Sequence, residues 1–185
     1  MNDKTKIIGI CGSASQNSAN LAILKYIAES EKSEFDFEMI EELTEFPHFR
    51  TELTDEGVPE KILDFRSKIL RSDGIIICTP EYVFSMPSGL KNILEWCVST
   101  TVFSDKPIGL ITASASGEKG HEELKLIMKT LQTLFTEETT LLIQGIKGKI
   151  SPEGRITDKW TETELKKLIK SFKELTKKPA GNTVQ

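Results

Sequence analysis

Hydrophobic positions along the chain fall into two patterns, short continuous runs and stripes with helical spacing. Five runs predict strands, and all but the second are almost entirely apolar, which is typical of parallel strands covered on both faces. These runs are 6–11, 35–40, 74–78, 107–113 and 140–146. Apolar residues three and four positions apart over 58–69, 124–134 and 165–175 predict amphipathic helices. The pattern therefore indicates a regular alternation of strands and helices.

This alternation predicts an α/β fold with one open parallel sheet and helices on both of its faces. Five strands suit the order 2-1-3-4-5 of a flavodoxin-like three-layer sandwich better than a six-stranded dinucleotide-binding fold. Pro87 stands at a favourable first position for a helix, and "TETE" predicts a capping box of Thr161 and Glu164 on the last helix. We expect residues 1–178 to form a single domain and residues 179–185 to form a flexible tail.

Composition and charge narrow the functional class. The 185 residues are 38% hydrophobic and carry a formal net charge of −4, which argues against a nucleic-acid-binding surface. No apolar run approaches the roughly 18 residues of a membrane span, and the first residues, "MNDKTK", lack the apolar core of a signal peptide. We expect a cytoplasmic protein with neither a nucleic acid nor a membrane as its partner.

The few cysteines and histidines favour packing over metal or redox chemistry. Cys11, Cys78 and Cys97 show no metal-like spacing, and we expect reduced thiols packed in the core. His48 and His121 are too few for a histidine metal cage, and each is expected on the surface or in a loop. The sequence therefore predicts no metal site.

Three loops are expected to meet where ligands bind in such folds. In an open α/β sheet this place is the carboxyl edge, near the point where the strand order reverses. The loops are "GSASQNSAN" at 12–20, "TPEYVFSMPSG" at 79–89 and "SASGEKG" at 114–120. All three are rich in small or hydrogen-bonding residues, so we expect a polar binding site at this edge.

Elimination narrows the chemistry of the first loop. No glycine follows Gly12 until Gly57, which excludes a G-x-G-x-x-G dinucleotide turn. Asn17 and Ser18 stand where a nucleotide triphosphate loop has Gly and Lys. A phosphatase loop beginning at Cys11 would need an arginine to hold the phosphate, and the loop contains none.

The remaining hypothesis is a loop that binds one terminal phosphate through neutral donors. Backbone N–H groups at a helix start, with the hydroxyls of Ser13, Ser15 and Ser18, supply such donors. The alternative is that Ser18 or Asn17 simply caps the helix. One cap needs one such residue rather than four in eight positions, so we favour the phosphate hypothesis.

Two of these loops resemble those of a known family. "GSASQNSAN" resembles the phosphate loop G-S-x-R-x-x-S-x-N of the NADPH-dependent FMN reductase family, flavodoxin-like proteins that include bacterial quinone, azo-dye and chromate reductases. "PEYVFSMPSGLKNILEW" resembles the family's P-E-Y-N-x-S-x-P-G-x-L-K-N-x-x-D-W, a long and specific match. "TASASGEKG" stands where the family has its third flavin loop. The resemblance covers about residues 6–135.

The resemblance implies FMN as the cofactor and assigns residues of all three loops to it. Ser13, Ser15, Gln16, Asn17, Ser18 and Asn20 would surround the phosphate and the nearby ribityl oxygens. The isoalloxazine ring would lie along Pro80, Glu81, Tyr82, Val83 and Phe84 on one side, with Ser114, Ala115, Ser116 and Gly117 on the other. Hydride transfer to flavin requires positioning more than an acid or a base, so we assign no catalytic residue; Glu81 either acts as a base or anchors its loop.

Four positions depart from the family pattern. Ser15 replaces an arginine and Val83 replaces an asparagine, which puts the strength of FMN binding in doubt. Ser88 and Glu95 replace a glycine and an aspartate, and we expect both changes to be tolerated.

The resemblance also implies a function with an open alternative. NADPH or NADH would reduce bound FMN, which would pass electrons to a quinone, an azo compound, a metal oxyanion or free flavin. A flavodoxin-type electron carrier without NAD(P)H activity is the alternative, and a regulatory protein that has lost flavin is a third hypothesis. The resemblance implies a homodimer or homotetramer. Lys119 and Arg50 are isolated candidates for binding the additional phosphate of NADPH.

Overall fold

A computed structural model describes residues 4–54 and 56–177. The strands are β1 Thr5–Cys11, β2 Phe35–Ile40, β3 Gly74–Thr79, β4 Ile108–Ser114 and β5 Thr140–Gln144. The helices are α1 Ala19–Ser30, α2 Glu60–Arg71, α3 Ser88–Glu95, α4 Glu118–Thr130 and α5 Lys159–Thr176. The tail predicted at 179–185 lies outside the described residues.

The five strands form one parallel sheet in the order β2-β1-β3-β4-β5. The predicted order is therefore confirmed. β1 and β3 are neighbours in the sheet although β2 separates them in the chain, so the strand order reverses between them. The register places Cys11 opposite Cys78, so both strands end at the same level of the carboxyl edge.

Alternate side chains of each strand point to opposite faces and build two cores. Ile8 and Ile75 face the core that α2, α3 and α4 cover, while Ile7 and Ile76 face the core under α1 and α5. All four are at most 5% exposed, and each such isoleucine contributes about 2 kcal/mol by leaving water. Burial on both faces explains the continuous apolar runs and confirms the three layers.

The helical stripe at 124–134 extends beyond the helix that it predicts. α4 ends at Thr130, and Gln132 takes a left-handed backbone conformation with φ of 61°. Leu134 then pairs with the start of β4, accepting the N–H of Ile108 at 2.9 Å and donating to the carbonyl of Lys106 at 2.9 Å. Leu134 therefore belongs to the sheet and not to the helix, although its spacing in the sequence fits the helical stripe.

Two boundaries near the C-terminal part were wrong. The fifth strand ends at Gln144 rather than residue 146, because Gly145 turns the chain with φ of 63°. α5 begins two residues before the predicted cap: Asp158 caps it and accepts both the N–H and the hydroxyl of Thr161, at 2.8 and 2.7 Å. Glu164 pairs with Lys167 instead of closing a capping box. Asp158 precedes the first residue of the helix, so its carboxylate can accept the unpaired N–H of Thr161 in the first turn.

No helix in the part of the chain that the structure describes is both long and apolar enough to cross a membrane.

Candidate functional site

All three predicted loops line one groove at the carboxyl edge of the sheet. The groove has a volume of about 1370 Å³. Eleven of the fifteen residues predicted to bind the cofactor line it: Ser13, Ser15, Gln16, Asn17, Ser18, Asn20, Pro80, Glu81, Tyr82, Ser114 and Ala115. Val83, Phe84, Ser116 and Gly117 do not line it. A smaller cavity of about 410 Å³ also borders the first loop and shares five lining residues with the groove: Ser13, Ser15, Gln16, Leu21 and Tyr82.

The first loop is held close to β3 by its glycine. The N–H of Gly12 donates to the carbonyl of Cys78 at 2.9 Å. A Cβ at Gly12 would lie 2.3 Å from Oγ1 of Thr79, closer than atoms can approach. Only glycine therefore lets the chain leave β1 at this angle and direct the following N–H groups over the sheet edge.

The serines of the first loop have different roles. The hydroxyl of Ser18 accepts the N–H of Leu21 at 3.1 Å and caps α1, as the alternative hypothesis held for this residue. Ser13 is only 7% exposed; its hydroxyl accepts the N–H of Ser15 at 3.2 Å and lies 3.4 Å from the hydroxyl of Tyr82. The side chain of Ser15 is exposed and forms no hydrogen bond within the described residues. Ser15 therefore remains available to a ligand.

Asn20 faces the interior rather than the groove opening. It is 3% exposed, its Nδ2 donates to the carbonyl of Ala113 at 3.2 Å, and its Oδ1 accepts the thiol of Cys78 at 3.3 Å. These bonds join the first turn of α1 to β4 and β3. Asn20 thus positions the helix start on which the loop depends.

The charge distribution at this helix start fits an anion. The first turn of α1 carries no acidic residue. Its first N–H groups have no acceptor within the helix and form the positive end of the helix dipole. With the hydroxyls of Ser13 and Ser15, they make a donor set suited to a phosphate monoester, so the residues present fit the phosphate end of FMN.

A tight turn with an unusual backbone forms the tip of the second loop. The N–H of Tyr82 donates to the carbonyl of Ser85 at 2.8 Å, and the N–H of Ser85 donates back at 3.0 Å. Val83 and Phe84 occupy the two central positions with φ of 52° and 59°. This left-handed region suits Gly and Asn, whereas a β-branched residue there is strained. Both side chains extend into solvent, 95% and 77% exposed.

The carboxylate of Glu81 fastens the second loop to the third. It accepts the N–H of Gly117 at 3.3 Å and the N–H of Gly120 at 2.8 Å, at the start of α4. Gly117 itself takes φ of 90° and offers no side-chain cap. Glu81 therefore supplies the cap from another loop. Of the two roles left open for Glu81, the geometry supports the anchor.

A second carboxylate, which the sequence analysis missed, holds the other end of the same loop. Glu123 of α4 accepts the hydroxyl of Ser85 at 2.6 Å and the N–H of Met86 at 3.0 Å. Glu123 directly follows another glutamate in a polar part of the helix. No pattern in the sequence therefore distinguishes it from an ordinary surface residue. The strained turn is thus held from both sides.

The motif "LKNILEW" anchors a distant connection. The amide of Asn92 accepts the N–H of Phe49 at 2.7 Å and donates to the carbonyl of Pro47 at 3.0 Å. Trp96, fully buried, donates its indole N–H to the same carbonyl at 2.8 Å. From α3 and the residue that follows it, these side chains fix the segment 47–49 beside the smaller cavity. Trp96 is therefore a core residue.

The cysteines pack in the core as predicted. All three are buried free thiols, and burial raises the pKa of each, for Cys97 to about 12. A thiol with a raised pKa is a poor nucleophile. No group of three potential metal-ligating side chains is found within 4–54 and 56–177.

The histidines differ from each other. His48 is exposed in a loop, as expected. His121 lies half-buried on α4 with its Nδ1 2.9 Å from the hydroxyl of Thr112, and burial lowers its pKa. His121 therefore lies on a helix and packs in part against β4.

The model of the family described as NADPH-dependent FMN reductase matches residues 5–147, well over half of the chain. The chain belongs to this family. The match spans all three loops of the groove, so the resemblance inferred from two motifs is confirmed.

Several curated relatives align with this chain over most of their length. The NADH:(hydroxy)cinnamate reductase subunit CrdA of Vibrio ruber is 27% identical, over 89% of this chain and 84% of the relative. The quinone reductase of Escherichia coli is 23% identical over 94% and 96%. The NADPH:quinone oxidoreductase of Arabidopsis thaliana is 27% identical over 95% and 94%.

Solved structures confirm the fold of this chain. The flavoenzyme NAD(P)H:(acceptor) oxidoreductase FerB from Paracoccus denitrificans superposes with a TM-score of 0.76 at 21% identity, over 93% of this chain and 97% of that chain. A flavodoxin from the domain Archaea superposes with a TM-score of 0.64 at 11% identity, over 94% and 100%. At such identities these likenesses show the flavodoxin-like fold.

Proposed function

We propose that the protein is an FMN-dependent NAD(P)H oxidoreductase that passes electrons to a small-molecule acceptor such as a quinone. Membership of the NADPH-dependent FMN reductase family supplies the reaction class and the cofactors. The observation that carries the proposal is the set of N–H and hydroxyl donors at the start of α1, which opens into the same groove as the second and third loops. The names of curated relatives support a quinone or a related unsaturated compound as acceptor.

The proposal assigns different tasks to the predicted site residues. Backbone N–H groups of 13–18, with the hydroxyls of Ser13 and Ser15, hold the phosphate. Ser18 and Asn20 hold the helix start itself, through the cap and the two interior bonds of the amide. The ring lies along Pro80–Tyr82 and Ser114–Ala115. When bound, FMN supplies a carrier that takes a hydride from the nicotinamide and gives electrons to the acceptor.

The protein's contribution in this proposal is positioning rather than proton transfer. The carboxylate of Glu81 is engaged by two N–H groups of α4, so it keeps the ring-binding loops at a fixed separation. A rigid spacing places nicotinamide and ring in contact, which is the main requirement of hydride transfer. No side chain is therefore needed as an acid or base.

We also propose a homodimer or homotetramer that acts in the cytoplasm. Tyr82, Val83 and Phe84 form an apolar tip at the rim of the groove, 42%, 95% and 77% exposed. Contact with a second copy at this tip would remove apolar surface from water and cover the site.

The cysteines support the proposed location in the cytoplasm. All three are free and buried, which suits a reducing compartment.

The proposal is tested with purified protein and FMN. We expect FMN to bind at micromolar concentration or below, measured by quenching of flavin fluorescence, and no uptake at high micromolar FMN would contradict the cofactor assignment. With FMN bound, NADPH should be oxidised steadily when a quinone is added without any other reductase. A flavodoxin-type carrier, the alternative, would bind FMN but show no such turnover.

A further inference from the structure

The groove has a second arm that the predicted FMN residues do not occupy. From the first loop it runs along one face of α1, past Ala22, Lys25, Tyr26 and Glu29, to Ser30. At 1.5 Å per residue, the distance from Asn20 to Ser30 is about 15 Å. The total volume of about 1370 Å³ exceeds the range of roughly 300–1,000 Å³ for single ligands. The groove therefore has room for a second ligand.

A hairpin after β5 forms the outer wall of this second arm. We call residues 149–157 the flap: the N–H of Ser151 donates to Arg155 at 2.8 Å, the N–H of Thr157 to Lys149 at 2.9 Å, and Gly154 turns the chain with φ of 78°. Ile150 and Ile156 pair across the flap and pack against the core under α1. We call the second arm of the groove, which this flap walls, the flap arm. Its outer wall is therefore apolar.

The flap arm joins the proposed flavin position. The N–H of Gly145, just before the flap, donates to the carbonyl of Ala115 at 3.1 Å. Ala115 lines the groove where we place the flavin ring. A ligand lying in the flap arm can therefore extend one end to the ring.

The uncompensated charge in the flap arm is positive. Three acidic side chains line it, and each already has a cationic neighbour: Glu29 pairs with Lys32 at 2.5 Å, Glu153 with Arg155 at 3.5 Å, and Glu162 with Lys166 at 2.6 Å. Lys25 and Lys147 also line the arm and form no ion pair within the described residues. By contrast, Lys119 and Arg50, the candidates from sequence, pair with Glu122 and Glu52 at 2.8 and 2.6 Å. The flap arm is thus suited to an anion.

We propose that the flap arm binds the adenosine half of the pyridine nucleotide, with Lys25 and Lys147 contacting its phosphates. This inference rests on the proposed function, which requires such a substrate beside FMN. The adenine lies against the apolar wall of the flap, and the nicotinamide extends past Ala115 to the ring. If the lysines contact the 2′-phosphate they also select NADPH over NADH.

The test uses adenosine 5′-diphosphate, 2′,5′-ADP and adenosine as probes, titrated calorimetrically into FMN-loaded protein. Replacing both lysines, in K25Q/K147Q, should weaken binding of the two phosphorylated probes roughly tenfold at low salt. Added salt should reduce the difference, because the contacts are solvent-exposed. Adenosine should bind the variant and the original protein equally. A larger loss for 2′,5′-ADP than for adenosine 5′-diphosphate assigns the lysines to the 2′-phosphate, and equal losses assign them to the 5′-phosphates.

A matched control variant and a measurement of FMN binding distinguish failure of this inference from failure of the proposed function. Lys170 is exposed on α5, outside the groove, and forms no ion pair in the described part of the chain, so K170Q should leave all three probes unaffected. Unchanged probe binding in K25Q/K147Q, or an equal loss in K170Q, overturns the inference while FMN binding still supports the proposed function. If K25Q/K147Q loses affinity for FMN instead, the lysines serve the flavin phosphate and the inference is wrong. Protein that takes up no FMN contradicts the proposed function itself.

Discussion

The first and second loops lie side by side at the same sheet edge and depart from the family pattern in opposite ways. At Ser15 the first loop loses a charge but keeps relaxed geometry, with a glycine at its base and a serine cap at its end. At Val83 the second loop loses a residue suited to left-handed backbone and carries strain, held by two glutamates from outside the turn. One departure therefore bears on ligand binding and the other on the free energy of folding.

Removing the clamp of the second loop should have the largest effect. Glu81→Ala leaves the N–H groups of Gly117 and Gly120 without their acceptor, and we expect a loss of about 2 kcal/mol in the free energy of unfolding. Urea denaturation measures this. Glu122→Ala, in α4 and paired with exposed Lys119, should leave the free energy of unfolding nearly unchanged. Equal effects of the two substitutions would show that the clamp contributes nothing.

Restoring the charge of the first loop should affect ligand binding next most strongly. Ser15→Arg should strengthen binding of FMN by about 1.5 kcal/mol, because a charge-assisted contact to phosphate forms. Riboflavin, which lacks the phosphate, should bind unchanged. Titration of both ligands by fluorescence quenching makes the comparison, and equal shifts would mean that position 15 does not contact the phosphate.

Ser18→Ala tests the division of labour within the first loop. Because Ser18 caps α1, its loss should lower the free energy of unfolding by about 1 kcal/mol even without ligand. Ser15→Ala, which removes an exposed hydroxyl, should leave unliganded stability unchanged. Thermal unfolding of both proteins without FMN checks the difference.

Relieving the strain of the second loop should stabilise the protein. Val83→Asn places a residue that tolerates left-handed backbone at φ of 52°, and we expect a gain of about 1 kcal/mol. Val98→Asn is the control, since Val98 is also exposed, at 62%, but does not have a positive φ. A gain at position 98 as large as that at position 83 would exclude strain as the cause.

The smallest expected effect is a pH dependence of the free energy of unfolding that arises from His121 on α4. Burial lowers the pKa of His121 below 6.5. The unfolded chain then binds the proton more readily, so this contribution to stability is complete above pH 6.5 and is lost as the pH falls through the lower, folded-state pKa. His121→Gln should therefore show a shallower loss of stability between about pH 7 and pH 5.5. A slope identical to that of the original protein would contradict this assignment.

Most of the architecture follows from local patterns. Apolar runs identify β1, β3 and β4 because strands covered on both faces are apolar at nearly every position. The structure buries all of β3 and β4, and residues 7–11 of β1. Gly12 and the cluster of serines mark the first loop, because the close approach to Thr79 requires a glycine and the start of α1 requires a cap. The motif around Asn92 identifies the family because it repeats a fixed spacing.

The ends of the helices were harder to predict from the sequence, because several neighbouring residues could cap a helix or end it. Asp158 displaces the expected Thr161 as the cap of α5, and a left-handed Gln132 ends α4 before its apolar stripe ends. Both outcomes depend on the fit of the helix against the sheet, which a periodic pattern does not record.

By itself, the sequence determined the sheet, its order of strands, the three loops and the family to which they belong, since each depends on spacing within a short segment. Only the tertiary structure decided that Glu81 caps a helix 36 to 39 residues further along the chain, that Asn20 turns inward, and that Lys25 lies in a groove with Lys147. These contacts arise because parallel strands bring their carboxyl ends to one edge, however far apart they are in the chain. Which side chains then meet is set by crossover length and helix packing, and neither is encoded in any one segment.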